Sequence, residues 1–375
     1  MLKGIHLTLM IGPGLPLPVS PMVLDAVSSI QVTSGTGRSG FQISLTVDKN
    51  SPIQHTMLPA GFFDPMITRV IIMVTVGGIP HILIDGMITR HELAPSNEPG
   101  QSRLTLTGED LTVLMDVIEI TRSFPAMPKV AQILTVLAPY MVFGIVPAPV
   151  PPFLPIVKLP TSKWDSQPNM TDYAYLQMLA NSVGYVFYLE PGPLPGQSVA
   201  YFGPDVQLPL PQRALSVNMD AHSNVDSFNV SLDGLAKKIV VMTVLDPFTK
   251  KIPIPIPLPN VNALRPPLGA RLTPPAKVEF PSDMANLEPD EAVEKAIGMS
   301  LQSQNAVSGG GTLDVLRYGR VLRARQLVGV RGAGVAYDGL YYVNSVTHNI
   351  KRGEYKQSFN LSRDGLISPT PVVPV

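Results

Sequence analysis

The sequence contains no cysteine among its 375 residues. Disulfide frameworks, thiolate zinc sites and cysteine nucleophiles are therefore excluded. Charge is also scarce, since 15% of the residues are charged and the 28 basic residues equal the 28 acidic ones in number. A general nucleic-acid-binding protein normally has a basic excess, so the composition argues against that class. A free soluble monomer usually has a charge-rich surface, and we therefore expect other chains to cover much of this one.

Long uninterrupted apolar segments are missing as well. The residues between Lys129 and Lys158 carry no charge over a length that could span a membrane, but several prolines interrupt them. We expect a short helix followed by a proline strap there, and no direct membrane span. The N-terminal apolar run is broken by Pro13 and no clear cleavage site follows it, so no signal peptide is predicted.

Proline is the residue that the chain has in excess, with 40 of 375 residues against a usual ~5%. Alternating prolines cannot donate ladder hydrogen bonds and favour extended conformations. We interpret the proline-rich segments as straps and linkers between packed units, the alternative being disorder. They are residues 11–21, 146–160, 252–259 and 368–375.

Three features occur in the same order in both halves of the chain, which predicts a duplicated β-unit. The first is an alternating apolar strand, the second an Asp-Gly pair, and the third another alternating strand after a glycine-containing turn. In the first half they are "FQISLTV" (41–47), Asp85-Gly86 and "RLTLTGED" (103–110), and in the second "FNVSLDG" (228–234), Asp338-Gly339 and "SFNLSRDG" (358–365).

Local signals place a hairpin and two helices. Gly77-Gly78 lies between two strand-like runs and predicts a hairpin turn. A helix is predicted in 128–140, which starts with proline. A second is predicted from Thr171, a suitable N-cap, to Gly184, a suitable C-terminal stop, and a buried strand should follow it.

The predicted fold is β-rich α+β, with two similar antiparallel β-barrel domains that carry mixed α/β insertions. Residues 1–120 form the first barrel and 121–212 a helical and strand insertion with a proline strap. Residues 213–367 form the second barrel, with a strap and a helix (287–306) inserted at about 247–311, and 368–375 form an extended tail.

No enzyme site is predicted. The segments 35–40 and 329–334 resemble nucleotide-binding glycine loops but precede strands instead of helices, so that interpretation fails. The six histidines form no compact pair, and no nucleophile elbow is present. Asp338 and Asp364 each precede glycine, where aspartate commonly supports a turn. We expect no catalytic residue, no cofactor and no metal.

Two groups of side chains could contact something else. The tyrosines Tyr341, Tyr342 and Tyr355 could stack on a ligand or pack across strands. The second group is a local basic stripe, which is a solvated face by default and a channel lining or inter-subunit contact in the alternative. It contains Arg317, Arg320, Arg323, Arg325 and Arg331.

Three segments resemble a known family. The segments 171–189 and 198–205 are similar to the helix-plus-strand segment of baseplate hub proteins of contractile phage tails, and 318–366 to the closing barrel of that family. The match is nearest to the late-control-D-like hubs of phage-tail-like contractile injection systems, and the first-half strands fit its opening barrel.

The resemblance implies a homotrimer in which two barrels per chain form a pseudo-sixfold ring. One face would meet a hexameric inner tube protein and the other a trimeric spike, alongside other baseplate proteins. Because the sequence stops soon after the last barrel, we expect the spike to be a separate polypeptide that the tail 368–375 straps. Assembly is expected in the bacterial cytoplasm, into a phage tail or a phage-tail-like particle that can be released.

We expect the hairpin 337–366 to be a barrel wall with one edge available to a neighbouring subunit. The residues predicted for subunit contact are Tyr341, Tyr342, Arg352, Tyr355 and Phe359. Those predicted for tube or channel contact are Arg323, Arg325 and Arg331.

Two other functions stay open. A carbohydrate-binding or carbohydrate-active β-protein would use exposed tyrosines and Trp164. An outer-membrane barrel would need an export signal and lipid-facing strands throughout, and the helical insertions argue against it.

Overall fold

We describe the protein from a computed structural model. The helix expected at 287–306 lies, apart from its last two residues, outside the described residues, as do Trp164 and the end of the tail. The described residues are 4–35, 37–98, 100–125, 127–151, 165–206, 210–245, 253–257, 266–279 and 305–369.

The first part of the chain forms seven strands and a short helix. The strands are β1 (Ile5–Pro13), β2 (Leu17–Pro18), β3 (Val27–Gly35), β4 (Gly40–Val47), β5 (Thr68–Val76), β6 (Ile79–Ala94) and β7 (Ser102–Asp110). Helix α1 (Pro21–Ala26) precedes β3, and a π-helical turn (Ile53–Met57) follows β4. The Gly77-Gly78 turn, with φ of 58° and 83°, joins β5 to β6 as predicted.

A mixed insertion follows β7. Its strands are β8 (Glu119–Phe124), β9 (Ile145–Pro149), β10 (Asp165–Thr171), β11 (Val186–Pro191) and β12 (Ser198–Gly203). Its helices are α2 (Lys129–Leu137), α3 (Asp172–Ser182) and two 3-10 helices, Leu111–Asp116 and Ala138–Phe143.

The last part of the chain begins with two strands, β13 (Gln212–Ser216) and β14 (Val225–Leu232). A 3-10 turn (Asp220–His222) lies between them in the sequence. Short strands come next: β15 (Lys238–Leu245), β16 (Pro253–Pro257), β17 (Arg271–Leu272) and β18 (Lys277–Glu279). The chain then forms β19 (Val307–Asp314), α4 (Val315–Tyr318), β20 (Leu327–Arg331), β21 (Gly339–Lys351), β22 (Glu354–Arg363) and β23 (Gly365–Leu366).

Thirteen strands of the described residues form one continuous sheet. Its main path runs β14-β19-β22-β21-β3-β4-β7-β6-β5-β1-β2, and β20 and β13 branch from β21. The order therefore contains the same five-strand unit twice. The first unit is β5-β6-β7-β4-β3, and the second unit is β20-β21-β22-β19-β14.

Irregularities of the strands repeat at equivalent places. The pairing of β6 with β7 shifts register between Ile88 and Arg90. The pairing of β21 with β22 shifts between Val343 and Ser345. Because a bulge inserts one extra residue at a defined point of a strand, the two shifts make Ile88 equivalent to Val343.

A second pair of register shifts gives the equivalence of the outer strands. The pairing of β3 with β4 shifts between Val27 and Ser29, and that of β14 with β19 between Val225 and Ser227. Val27 is therefore equivalent to Val225. The sequences at these positions also match, as "VSSIQV" (27–32) and "VDSFNV" (225–230).

A left-handed residue repeats as well. Met66 and Arg325 have φ of 62° and 61°, and each lies two residues before its strand, β5 or β20. The Met66 amide donates to the Ile88 carbonyl and the Arg325 amide to the Val343 carbonyl, both at 2.7 Å. The expected duplication is thus present in strand order, bulges and backbone conformation.

The sequence match that predicted the duplication was wrong in register. "FQISLTV" lies in β4, whose counterpart is β19, whereas Phe228 lies in β14, the counterpart of β3. Every strand of the unit has the same two-residue period, so alternation alone cannot distinguish neighbouring strands. The predicted insertion at about 247–311 stays a prediction, and β19 begins at Val307, close to its expected end.

The two units are joined by antiparallel pairing of Ser345–Lys351 in β21 with Ser29–Gly35 in β3. We call this pairing the internal junction. One large hydrophobic cluster contains residues of both units, including Ile30 and Ile350, which are opposite each other in the junction. The hairpin of β21 and β22 therefore lies in the middle of the sheet. The expectation that one of its edges is available to another subunit was wrong, because β3 and β19 occupy the two sides.

The insertion has a separate hydrophobic cluster, in which α2 and α3 pack against β9, β11 and β12. Both helices occur where the sequence predicted them. Thr171 caps α3, its hydroxyl accepting a hydrogen bond from the Ala174 amide at 3.2 Å, and Gly184 ends the helical turn with φ of 70°. No helix among the described residues is long and apolar enough to cross a membrane.

A buried ion pair connects the first unit to the insertion. Arg69 donates two hydrogen bonds of 2.7 Å to the Asp85 carboxylate and a third, of 3.0 Å, to the Gly196 carbonyl. Arg69 and Asp85 are both buried. Such a pair costs free energy to desolvate, but a partner left alone costs more.

We expect the substitution Asp85→Ala to lower the free energy of unfolding by about 3–5 kcal/mol, because it leaves a buried guanidinium without its counter-charge. The matched control is Glu279→Ala, which removes the acidic partner of the half-exposed pair with Lys238 and should cost about 0–1 kcal/mol. Denaturant titration measures both, and equal losses would contradict the assigned role of Asp85.

Candidate assembly surfaces

One face of the sheet is polar across both units. Strand alternation turns residues such as Ile30, Ile43 and Leu106 into the core, and their neighbours outward. One row of adjacent outward residues crosses five strands without a charge or an apolar side chain. It consists of Ser227, Thr312, Ser358, Thr347 and Thr33.

Hydroxyl contacts link this row across strands. The hydroxyls of Ser227 and Thr312 are 2.8 Å apart, and those of Thr33 and Thr347 are 3.1 Å apart across the internal junction. A parallel row contains mostly amides and runs from Lys356 through Asn349, Gln31 and Gln42 to Thr107. We call this surface the polar face. None of the residues in these two rows is buried. Their side chains can form many weak, unspecific hydrogen bonds with water.

Two strand edges of the duplicated units have no partner in the part of the chain that the structure describes. In β6, pairing with β5 ends at Met87, so residues 89–94 pair with β7 on one side only. In β14, the sole pairing is with β19. The equivalent stretch of β21 and the equivalent strand β3 pair with each other in the internal junction. The two unpaired edges are thus the equivalents of the two edges that pair in the internal junction.

Four of the residues predicted for subunit contact were wrong. Tyr341, Tyr342, Tyr355 and Phe359 are at most 2% exposed, and side chains buried within their own chain cannot reach a neighbour. Arg352 is exposed and donates to the Asp25 carbonyl, so its contact with another subunit stays a prediction.

The buried aromatic side chains form internal contacts instead. Tyr341 donates to the Tyr337 carbonyl at 2.7 Å and Tyr342 to the Asp205 carboxylate. Phe359 stacks against Phe228, with ring centroids 6.5 Å apart. Cross-strand packing, the alternative to ligand stacking for the tyrosines, is therefore what the structure shows.

Arg325, predicted for tube or channel contact, holds three parts of the chain together. Its guanidinium donates to the carbonyls of Gly35 and Gly37 in the first unit. It also lies over the Tyr188 ring of the insertion, 3.7 Å from the centroid. Arg331 likewise donates within the chain, to the Ser216 hydroxyl at 2.8 Å.

Arg323 lies at a basic cavity of about 380 Å³ between the β5–β6 turn and the segment after α4. Its guanidinium contacts His81 Nδ1 at 2.8 Å, and its side chain is exposed. Burial and the charge of Arg323 lower the pKa of His81. Arg320 also lines the cavity and has no hydrogen bond or ion pair to a described residue. This rim is the part of the predicted basic stripe that stays accessible.

His348 lies in the internal junction, opposite Val32, and is fully buried. The Tyr355 hydroxyl is 2.8 Å from His348 Nδ1, and the Gln357 amide is 3.3 Å from it. Burial, with a smaller contribution from His81, lowers the pKa of His348 to about 3. The imidazole is therefore neutral in the folded chain.

Sequence reasoning missed the two strand edges that have no partner among the described residues. The signal that could have located them is the repeat of "VSSIQV" in "VDSFNV", which aligns β3 with β14 in the correct register. Among the described residues, no three His, Asp or Glu side chains gather as a metal site would require.

Known proteins resemble this chain in structure only. No family model and no curated protein sequence matches it. The tail protein from Neisseria meningitidis MC58 is 16% identical over 97% of this chain and 98% of its own, with a TM-score of 0.63. The 43 kDa tail protein of prophage MuSo2 from Shewanella oneidensis is 12% identical over 96% of this chain and 100% of its own, with a TM-score of 0.61.

A component of the E. coli type VI secretion system, itself similar in structure to bacteriophage T4 tail proteins, is 11% identical. It aligns over 92% of this chain and 77% of its own length, with a TM-score of 0.54. At such low identity the likeness concerns the fold alone. The chain has the β-rich fold of phage tail proteins, which confirms the fold expected from the sequence at that level.

The buried histidine makes stability depend on pH. The unfolded chain takes up a proton at His348 below pH ~6.5, but the folded chain does not until about pH 3. Stability is therefore lost as the pH falls through this window, by about 1.4 kcal/mol per pH unit for this group. Denaturant titrations should show that the free energy of unfolding falls between pH 7 and pH 5 in the unchanged chain. In the variant His348→Gln this fall should be smaller by about 2 kcal/mol. Equal losses in both proteins would contradict this account.

The three-way contact of Arg325 predicts a destabilised variant. Arg325→Ala should lower the free energy of unfolding by about 1.5–3 kcal/mol, because it removes charged hydrogen bonds. Alanine and arginine both disfavour the positive φ of this position, so the backbone contribution cancels. Arg320→Ala, at an exposed arginine of the same stripe, is the control and should stay within about 0.5 kcal/mol of the unchanged chain. Thermal or denaturant unfolding in which both variants behave alike would contradict the prediction.

Proposed function

We propose that the protein is a structural baseplate hub of a phage tail or contractile injection system. Three chains would form a ring that adapts a hexameric inner tube to a trimeric spike. The observation that carries the proposal is the duplicated unit with one internal junction and one equivalent pair of edges that no described residue pairs with. Two units joined once can be joined again only through a second copy of the chain.

The number of chains in the ring follows from the sixfold symmetry of the proposed inner tube. A ring whose neighbours are related by one repeated contact closes as a cyclic oligomer. Each chain supplies two equivalent units, so three chains present six, which suits a six-subunit tube. The same ring has true threefold symmetry, which suits a trimeric spike. The fold shared with phage tail proteins supports this assignment.

The polar face supports an inner wall. In a ring closed through the sheet edges, one sheet face lines the interior and the other packs in the core. The core face is the large hydrophobic cluster, so the interior would be lined by the polar face, whose two rows carry hydroxyls, amides and a single charge, that of Lys356. Such a lining neither attracts nor repels a passing chain strongly.

The remaining partners and the location belong to the proposal as well. Arg323, with Arg320 beside it at the basic rim, would contact an axial neighbour, either the tube or another baseplate protein. The role is structural and not enzymatic. Assembly takes place in the bacterial cytoplasm, and the particle works as a phage tail or a related injector. The carbohydrate-binding alternative loses support because Tyr341, Tyr342 and Tyr355 are buried.

Molar mass by light scattering tests the proposal. The purified chain alone should have three chain masses, and with a trimeric spike partner it should form a complex of three chains and three spike chains. Negative-stain images should show six lobes around a central opening. A chain that stays monomeric with and without the spike, even at high protein concentration, would contradict the proposed hub function.

A further inference from the structure

We infer that β6 of one chain pairs antiparallel with β14 of the next, in the register of the internal junction, so that Arg90 lies opposite Asp233. The inference rests on the proposed ring and specifies its subunit contact. An unpaired strand edge is a template for adding another strand. The occupant is a second copy of this chain, because the equivalent edges, those of β21 and β3, already pair within the chain.

The register follows from the repeated bulges. Ile88 is equivalent to Val343, so Arg90 is equivalent to Ser345, two residues further along. Val27 is equivalent to Val225, so Gly35, eight residues on, is equivalent to Asp233. In the internal junction, Ser345 lies opposite Gly35. The equivalent pair between chains is Arg90 opposite Asp233.

The outward side chains of the two edges are complementary in this register. Arg90 and Asp233 are both exposed and carry opposite charges. Among the residues that the structure describes, Arg90 is paired only with Glu92, at 2.8 Å, and both side chains are mostly exposed. Such a surface pair contributes little, so Arg90 is free to turn to a better-placed carboxylate. Opposite charges directly across strands stabilise pairing.

The next outward position is complementary too. Glu92 comes to lie opposite Ser231, whose hydroxyl can donate to the carboxylate. The equivalent internal pair is Thr347 and Thr33, whose hydroxyls are 3.1 Å apart. The contact between chains therefore repeats the internal one with a stronger acceptor.

Three of the four inward side chains supply apolar area. Leu93 lies opposite Val230, and His91 opposite Leu232, in the inferred register. Leu93 and Val230 are only half-buried against the core, and Leu232 is 41% exposed. The equivalent residues of the internal junction include Val346 and Val32, which are fully buried. The incomplete burial at the two edges is what a missing strand on each would produce.

Each junction also has a cation at the same end. In the internal junction, Arg325 donates to the carbonyl of Gly35, the last residue of β3. The equivalent of Arg325 in the first unit is Met66, which has no donor side chain. Between chains, Asp233 replaces Gly35 and Arg90 replaces the missing cation. The change at one position is thus matched by a change at its partner.

The absence of cysteine allows a cross-linking test without background. The variant Glu92→Cys/Ser231→Cys places two thiols directly opposite each other in the inferred register, where Cα atoms are about 4.5–5.5 Å apart and a disulfide can form. The control is Glu92→Cys/Ser227→Cys, four residues or ~13 Å out of register. Ser231 and Ser227 are matched, since both are exposed on β14 and each hydroxyl contacts one of β19 at 2.9 and 2.8 Å.

Mild oxidation should convert the first variant into covalent dimers and trimers on a non-reducing gel, with at least tenfold more product than the control. Three chain masses in solution with no cross-link, or with cross-links in the control alone, would overturn the register while leaving the ring intact. A monomer in light scattering would overturn the ring and the register together.

A charge reversal provides an independent measurement. Arg90→Glu and Asp233→Arg should each weaken trimer formation by about tenfold or more in concentration, and the double variant should recover most of the loss. Glu98→Arg, at an exposed carboxylate beyond the end of β6, is the control and should change little. Losses that simply add in the double variant would show that the two side chains do not meet, and would overturn the assigned pair.

Discussion

The backbone pairing of β21 with β3 is the contact on which the rest of the structure depends. It joins two equivalent β-units into one sheet and one hydrophobic cluster. Because it uses one edge of each unit, it also leaves one equivalent edge of each without a partner among the described residues, in β6 and β14. In the proposed ring, these two edges are where copies of the chain would meet. Two side chains act at this junction. His348 packs on its buried side as a neutral imidazole, and Arg325 donates a hydrogen bond to the last residue of β3.

Unpaired edges are a hazard, because any exposed strand can pair with them. The edge of β6 carries Arg90 and Glu92 and a register shift beside Ile88, and charges and bulges both discourage indiscriminate pairing. The same charges favour a partner that has a carboxylate at the right position, such as that of Asp233, the residue that follows β14. In the proposed ring, selectivity and self-association would therefore come from the same few side chains, and the polar face would continue from one unit to the next.

Local patterns predicted the elements whose signals are local: the helix capped by Thr171, the Gly77-Gly78 hairpin and the existence of a repeat. The register of the repeat could not be predicted from alternation, which every strand shares. The burial of the tyrosines could not be predicted either. Tyr341 and Tyr342 are adjacent and point to opposite faces of β21, yet both are buried, because Leu268 from a distant segment covers Tyr342. The basic stripe was visible, but Arg325 is bound to carbonyls far away in sequence, and only long-range folding reveals that.

The central claim is that one repeated strand junction builds both the chain and the ring. The measurement that tests it most directly is a cryo-electron microscopy reconstruction of the assembled protein, with threefold symmetry imposed only after an unsymmetrised map. The account predicts six equivalent β-units around an axis, with β6 and β14 of neighbouring chains at the ~4.8 Å spacing of paired strands and the polar face toward the opening. A trimer whose chains meet through other surfaces, with β6 and β14 apart, would contradict it.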